Sequence, residues 1–391
     1  MQYVTSMVVF KFYCAKITEK HGGYNMEKLK ELQKYVKEQN LNVAYISNYE
    51  DVQYFTGFGS DPIERVLALI VFPDADPFLF APALEVEDIQ KSGWPYKVFG
   101  YLDHEKPFAM IADHIKEINP NPVNWGIEMN NLVVDRLHAL KKEFPSANFN
   151  HDLTPEVQRL HLIKTDDEIE KLRAAGREAD FAFKVGFETI KPGITEADVA
   201  AEIEYQLKKR GVMQMSFPTL IQAGKHASQP HGDTSTRKIE DNELVLLDLG
   251  TVHDGYISDA SRTVAVGKLN DTQADIYKVC LEAQLAAQAA VKPGITAAEL
   301  DKIARNIIDK AGYGKYFIHR LGHGMGMSEH EFPSIMEGND LKLEENMCFS
   351  LEPGIYIPGV AGVRIEDCVR VTKDGCEPFT HTAKTLQTVF K

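Results

Sequence analysis

Cysteine is scarce in this 391-residue chain. The five cysteines, Cys14, Cys280, Cys348, Cys368 and Cys376, are scattered and odd in number, and no CxxC pair occurs. That argues against a disulfide framework or a structural zinc site and reads as the reduced thiols of a cytoplasmic protein. A basic excess is missing too, with 43 Lys and Arg against 57 Asp and Glu and a net charge of −14. Duplex binders carry a basic face, so nucleic acid is not expected as a partner. No apolar run approaches a membrane span, so no membrane is expected either. The first 25 residues lack a basic start and a small-residue cleavage site, which argues against a signal peptide.

What is present is ordinary globular composition, 44% hydrophobic and 26% charged, in a length that suits two domains or one large one. Met26 opens a plain amphipathic helix, MEKLKELQKYVKEQNL. Gly22-Gly23 can be encoded by a ribosome-binding sequence, with Tyr24-Asn25 as its spacer. Residues 1–25 are therefore read either as translated upstream sequence, with Met26 the true start, or as a poorly ordered native extension.

From Leu41 to about Phe149 apolar strand-like runs alternate with helical patterns. VAYIS (43–47), VLALIVF (66–72), PFLFAP (77–82), YKVFGY (96–101) and NWGIEM (124–129) read as strands, with helices near 84–91, 108–118 and 132–144. This predicts an α/β N-terminal domain over 26–150, then a connector over 151–164. Thr165-Asp166-Asp167-Glu168 has the pattern of a capping box opening a long helix. From there to 391 an α+β domain with an internal repeat is expected. Lys191-Pro-Gly-Ile-Thr195 recurs as Lys292-Pro-Gly-Ile-Thr296 at an offset of 101, and the closing glycines Gly211 and Gly312 keep that offset. Each copy puts Thr at a helix N-cap with an acid three residues on, Asp198 or Glu299. Two copies of a helix–helix–sheet unit imply a pseudo-twofold domain with its ligand site between the halves.

Acids and histidines recur between 245 and 370. VLLDLG places Asp248 at the end of an apolar strand, and DGYISDASRT places Asp259 eleven residues later. Asp254-Gly255 is a hairpin signal, and two strands joined there bring the two acids side by side. LGHGMGMSEHEFP contains His323 and His330, and FSLEPGIYIPG breaks an apolar run with Glu352. In GVRIEDCVRV strand periodicity puts Arg364 and Glu366 on one face. Singly, each has a structural explanation as a cap, a turn residue or a surface ion pair. Together, four carboxylates and an imidazole make no sense as a buried group without cations. At an effective dielectric near 20, two like charges about 4 Å apart repel by about 4 kcal/mol. Two divalent ions reverse that sign, and oxygen-rich ligands with one imidazole suit Mn²⁺, with Co²⁺ or Zn²⁺ less distinctive.

The order and spacing of Asp248, Asp259, His323, Glu352 and Glu366, with the flanking LDLG, DGYISDASRT, GHGMG, HEFP, LEPGIY and VRIED, resemble the pita-bread metallopeptidases. That family includes methionine aminopeptidase, aminopeptidase P, prolidase and the metal-free creatinase. The resemblance covers about residues 26–391 and implies a creatinase-like N-terminal domain ahead of a pita-bread catalytic domain. NYEDVQYFTGF (48–58) looks like the N-terminal domain that prolidase, aminopeptidase P and creatinase share. The short total length and SDPIERVLALIVFPDADPFLFAPALE look most like the bacterial Xaa-Pro dipeptidases.

By that resemblance the five residues hold two metal ions, and a metal-bridging hydroxide attacks the carbonyl before proline. Glu352 is also the general base. His231, in SQPHGD, and His330 donate hydrogen bonds to the carbonyl oxygen and the tetrahedral intermediate. Arg364 meets the substrate's carboxylate end. Phe217, before Pro218, is a candidate wall for the proline ring. The loop Gly57–Arg65, with Asp61, Glu64 and Arg65, is read either as a solvated turn or as an element reaching the partner subunit's site in a homodimer. Ile63 stands where related bacterial prolidases often carry His. The chief rival is an Xaa-Pro aminopeptidase acting on longer peptides, which shares every motif. Organophosphate hydrolysis is a further possibility in the same site. A creatinase-type hydrolase lacks the metal ligands present here. Non-enzymatic modules on this fold typically lose ligands and gain basic or tail segments, neither of which is seen.

Overall fold

The computed structural model describes residues 25–390. The reading of residues 1–24 as leader or extension lies outside the described residues. The chain forms two compact units. One runs up to Pro122 and takes in Asp135–Ser146; the other combines Val123–Val134 with everything from Ala147 onward.

The first unit is α/β. The strands Val43–Ile46, Ala68–Val71 and Phe78–Pro82 pair antiparallel in sequence, and Lys97–Tyr101 adds in parallel to Phe78–Pro82. All thirteen residues of the first three strands are buried, which is why those runs are apolar without alternation. The helix Met26–Glu38 buries Leu29, Leu32 and Val36, one stripe at helical spacing. NYEDVQYFTGF holds a helix, Tyr49–Thr56, capped by Asn48 and ended by Gly57 at φ 74°. In the loop that follows, Asp61 Oδ1 accepts from Ile63 N (2.9 Å) and Arg65 donates to both oxygens of Asp103 (2.9 and 3.1 Å). Glu64 lies 3.2 Å from Arg65. Ile63 is 77% exposed at φ 56°, a backbone region a β-branched residue seldom takes.

In the second unit Asn124–Ile127 pairs in parallel with Asn148–Asp152. The stretch expected to be a connector instead carries a helix, Thr154–Leu162, with Pro155 in its first turn and Val157 and Leu160 buried. The proline masked that helix in the sequence, although a first-turn proline is compatible with one.

The rest of this unit is a duplicated element. In the first half the helices Asp166–Thr189 and Glu196–Lys209 cover a sheet ordered Thr388–Phe390, Ala260–Val266, Glu243–Leu249, Leu220–Ala223. In the second half Asp271–Ala290 and Ala297–Lys310 cover Glu331–Ile335, Gly322–Gly324, Cys348–Leu351, Asp367–Val371 and Cys376–Pro378. Each half has its own apolar cluster. The repeat is carried down to single hydrogen bonds. Both Thr195 and Thr296 form full capping boxes, with Asp198 and Glu299. Gly193 N bonds to Ile239 O as Gly294 N bonds to Leu343 O, and Glu196 N to Arg237 O as Ala297 N to Leu341 O. Gly193 and Gly294 sit at φ 89° and 91°, where a side chain is strained, so each KPGIT copy keeps its glycine.

Candidate active site

The two halves of the catalytic unit bring the acids together. Glu243–Leu249 and Ala260–Val266 run antiparallel with Asp248 opposite Ser261. The expected hairpin joins them: Asp254 and Gly255 both take positive φ, 48° and 81°, and His253 pairs with Tyr256. His323 comes from the other half, on the three-residue strand Gly322–Gly324. A Cβ on Gly322 would lie 1.9 Å from Ser350 O, and one on Gly324 2.2 Å from Phe332 O. The glycines of GHG are therefore what lets a strand pack on either side of the histidine. Glu352 follows Cys348–Leu351, and Glu366 lies between Ala361–Arg364 and Asp367–Val371.

His323 Nε2 is 3.2 Å from Glu352 Oε1 and 3.5 Å from Asp259 Oδ2. Its Nδ1 donates to Gly324 O at 3.1 Å, which turns Nε2 into the cluster. Donor atoms of His323, Glu352 and Glu366 all lie within 4.8 Å of one another, as do those of Asp259, Glu366 and Cys368. Asp248 joins through Ser261, whose Oγ is 3.0 Å from Asp248 Oδ1 and 2.7 Å from Glu366 Oε2. Both Arg364 and Glu366 reach this hydroxyl, as their shared face predicts. Arg262 holds the backbone beneath, donating to the carbonyl oxygens of Ser261 and Glu366 and pairing with buried Asp367 at 2.7 Å.

The electrostatics are those of a cation site. Burial, then the neighbouring carboxylates, push Asp259 and Glu366 well above the ordinary carboxylate range. Burial also works to raise Glu352, but the hydrogen bond and charge of His323 outweigh it and bring it to about 2. His323 is lowered by burial and raised more by Glu352 and Asp259, ending at about 9. Glu366 Oε1 is buried with no hydrogen-bond partner among the described residues. A buried carboxylate oxygen with no donor is costly unless a cation meets it. The residues present thus fit a divalent-cation site. Loading metal-stripped protein near pH 7 is expected to acidify a weakly buffered solution, because His323, at about 9, must lose its proton to act as a ligand. Zero proton release in a pH-stat would contradict this charge pattern.

The cluster opens on a cavity of about 620 Å³. Phe217, His231 and His330 all line it, as do Arg364, Asp248, Asp259, Glu352 and Glu366. The His330 ring stands edge-on to His323, centroids 4.2 Å apart. Burial, then the charges of His323 and Arg320, lower His330 to about 4, so it is a neutral donor at pH 7. Arg364, expected to meet the substrate's carboxylate, is 5% exposed and directs its donors inward. Nε goes to Ser261 Oγ (2.8 Å), one terminal nitrogen to Tyr356 Oη (2.9 Å) and the other to Asp248.

Four residues escaped the sequence reading. His319 lines the cavity, and its Nδ1 donates to Arg320 O at 2.8 Å, leaving Nε2 to accept from Tyr356 Oη at 3.1 Å. Asp248, Arg364, Tyr356 and His319 therefore form one chain of hydrogen bonds. The signal was a second histidine four residues before His323, in IHRLGHG. Lys164 and Glu331, a buried pair 2.8 Å apart, had no sequence signal at all.

Residues 170–373 match the model of metallopeptidase family M24, and residues 28–174 match the creatinase/prolidase N-terminal domain. The chain belongs to metallopeptidase family M24. It is 56% identical over 362 residues to an Xaa-Pro dipeptidase of Lactobacillus helveticus, covering 92% of this chain and 98% of that one. Its fold matches the prolidase of Pyrococcus horikoshii OT3 with a TM-score of 0.86 at 34% identity, over 92% of this chain and 99% of that one. The X-Pro aminopeptidase of Thermotoga maritima MSB8 matches with a TM-score of 0.80 at 27% identity, over 90% and 99%. As an M24 member the chain pairs a creatinase-type N-terminal domain with a pita-bread catalytic domain, and it is a metal-dependent hydrolase.

Proposed function

We propose that this M24 enzyme hydrolyses Xaa-Pro dipeptides, using two divalent ions, most readily Mn²⁺, held by Asp248, Asp259, His323, Glu352 and Glu366. The observation that carries the reading is the unpartnered Glu366 Oε1 within a buried carboxylate–imidazole cluster that opens on a cavity. The named activity of the Lactobacillus relative supports the substrate class. Bound ions would supply a nucleophile from water at neutral pH and polarise the substrate carbonyl.

The chain's own residues then have separable tasks. Glu352, 16% exposed at the cavity floor, accepts the proton of the attacking water and delivers it to the leaving proline nitrogen. That nitrogen carries no hydrogen in the substrate, so recognition rests on the carbonyl oxygen and the free ends. His231 and the neutral His330 donate toward the carbonyl oxygen as charge develops on it. Phe217 offers an apolar wall for the proline ring. Arg364 fixes the carboxylate of Asp248, and its remaining N–H is what is left for a substrate carboxylate. The unpaired described cysteines support a cytoplasmic setting. A homodimer in which the Asp61–Arg65 loop closes the partner's site would explain selection of short peptides.

The deciding assay compares Leu-Pro with Leu-Pro-Gly on metal-stripped protein reloaded with Mn²⁺. Cleavage of Leu-Pro alone, abolished by chelator, is the expected result. Deletion of the Asp61–Arg65 loop should then raise the Leu-Pro KM or admit the tripeptide. Equal or faster cleavage of Leu-Pro-Gly by the intact enzyme would make it an Xaa-Pro aminopeptidase.

A further inference from the structure

One ligand-like atom in the cluster belongs to no expected metal ligand. Cys368 lies two residues beyond Glu366, opposite Ser350 in the strand pair, and is 1% exposed. Its Sγ and carboxylate oxygens of Asp259 and Glu366 are mutually within 4.8 Å. Donors sharing one divalent ion, at about 2.1 Å for oxygen and about 2.3 Å for sulfur, stand at most about 4.4 Å apart. Three donors around one such ion stand about 3.5–3.8 Å apart, so closing these three on a single ion takes movements of up to about 1 Å. Two further observations point the same way. Glu366 Oε1 is buried without a hydrogen-bond partner among the described residues. The other described thiols all have carbonyl acceptors: Cys280 with Pro353 O at 3.0 Å, Cys348 with Asn346 O at 3.7 Å and Cys376 with Gln288 O at 3.4 Å. Cys368 has none among the described residues, and faces the acids instead.

We infer that Cys368 is a sulfur donor to a thiophilic divalent ion, Zn²⁺ or Cd²⁺, held with Asp259 and Glu366. Thiolate favours such ions, whereas carboxylate and imidazole alone accept Mn²⁺ as well. Coordination replaces the S–H bond with a metal–sulfur bond and releases one proton to solvent, with no change of oxidation state. The centre then has two modes: one with oxygen and nitrogen donors, and one with sulfur added that retains a softer ion. This inference rests on the reading that these acids hold divalent ions.

The test is a Cd²⁺ titration of the metal-stripped full-length protein, followed by thiolate-to-cadmium charge-transfer absorption in the ultraviolet. Wild type should develop a band that excess Mn²⁺ diminishes. Cys368→Ser and Cys368→Ala should lose that band while still binding Mn²⁺, which also shows that they fold; Cys376→Ser should keep it. Zn²⁺ affinity should fall about tenfold or more in both Cys368 variants, with Mn²⁺ affinity changed less than about twofold. A band that persists without Cys368 assigns it to another thiol and overturns the inference. No band in wild type, with Mn²⁺-dependent Leu-Pro hydrolysis intact, overturns the inference and leaves the proposed function standing. Failure to bind either ion would remove both.

Discussion

Glu352→Gln should lower kcat for Leu-Pro by about 10³-fold or more while leaving the fold intact. A positioned acid–base group typically supplies 10²–10⁴-fold, and this one is also expected to bind metal. Several features place Glu352 ahead of its neighbours as the proton acceptor. All three line the cavity, but Asp259 and Glu366 are almost fully buried at 5% and 2% exposure, whereas the Glu352 side chain is 16% exposed. Ser350 Oγ donates to its Oε1 at 3.0 Å and His323 Nε2 stands 3.2 Å away, which fixes the carboxylate's direction. Its backbone N–H bonds to Leu321 O, tying it to the strand of His323. Gln keeps the shape and removes the basicity. Measuring kcat at saturating Mn²⁺ separates lost chemistry from weakened metal binding. A variant with a tenth of wild-type kcat under those conditions would take the general-base role away from Glu352.

Lys164→Met should destabilise the protein by about 3–5 kcal/mol at neutral pH, the cost of leaving a buried charge without its partner. Lys164 is 2% exposed, and its ammonium donates to Glu331 Oε2 at 2.8 Å. Burial opposes the charge on both groups, but their attraction outweighs it: Glu331 is held far below the ordinary carboxylate range and Lys164 is raised. A carboxylate whose folded pKa is depressed contributes stability above its unfolded pKa of about 4.3, and that contribution is lost as pH falls through the folded value. The raised lysine contributes below its unfolded pKa of about 10.4 and loses its share as pH rises through the folded value. The difference between wild type and Lys164→Met in urea denaturation should therefore be full from about pH 5 to pH 10 and shrink in acid. Glu331→Leu in the same chain should restore much of the loss. A single-variant effect below about 1 kcal/mol would show that the pair contributes little. Activity should fall as well, because Glu331 Oε1 accepts from Met327 N (2.8 Å) and Ser328 N (3.2 Å) and so shapes the loop that carries His330.

Much of this molecule was legible in the amino-acid string because its signals are local. The capping boxes at Thr165, Thr195 and Thr296 need only residues three apart, and all three form. The Asp254-Gly255 turn needs two residues with positive φ, and the glycine-flanked His323 needs strands close on both sides. The KPGIT repeat carried the pseudo-twofold because it preserves both a glycine conformation and a cap. The clustered acids were visible because Asp248 and Glu352 each break an apolar run, and Asp259 and Glu366 recur beside strands in the same stretch of chain. By itself, then, the sequence determined the two-part α/β and α+β organisation, the repeat, and the acids and histidines able to meet at one centre.

Only the tertiary structure decided how those groups are partnered. Arg364 turns to Asp248, 116 residues away, and both meet at the Ser261 hydroxyl. Lys164 finds Glu331 across 167 residues, and nothing near either residue foretells the other. His319 became part of the cavity through Tyr356, and Cys368 joined the acids because it stands two residues from Glu366 on a strand laid against them. Those partnerships depend on how the two halves of the repeat pack together. Within each half register matters as well, since a shift of one residue would turn Asp248 or Cys368 to the opposite face of its strand.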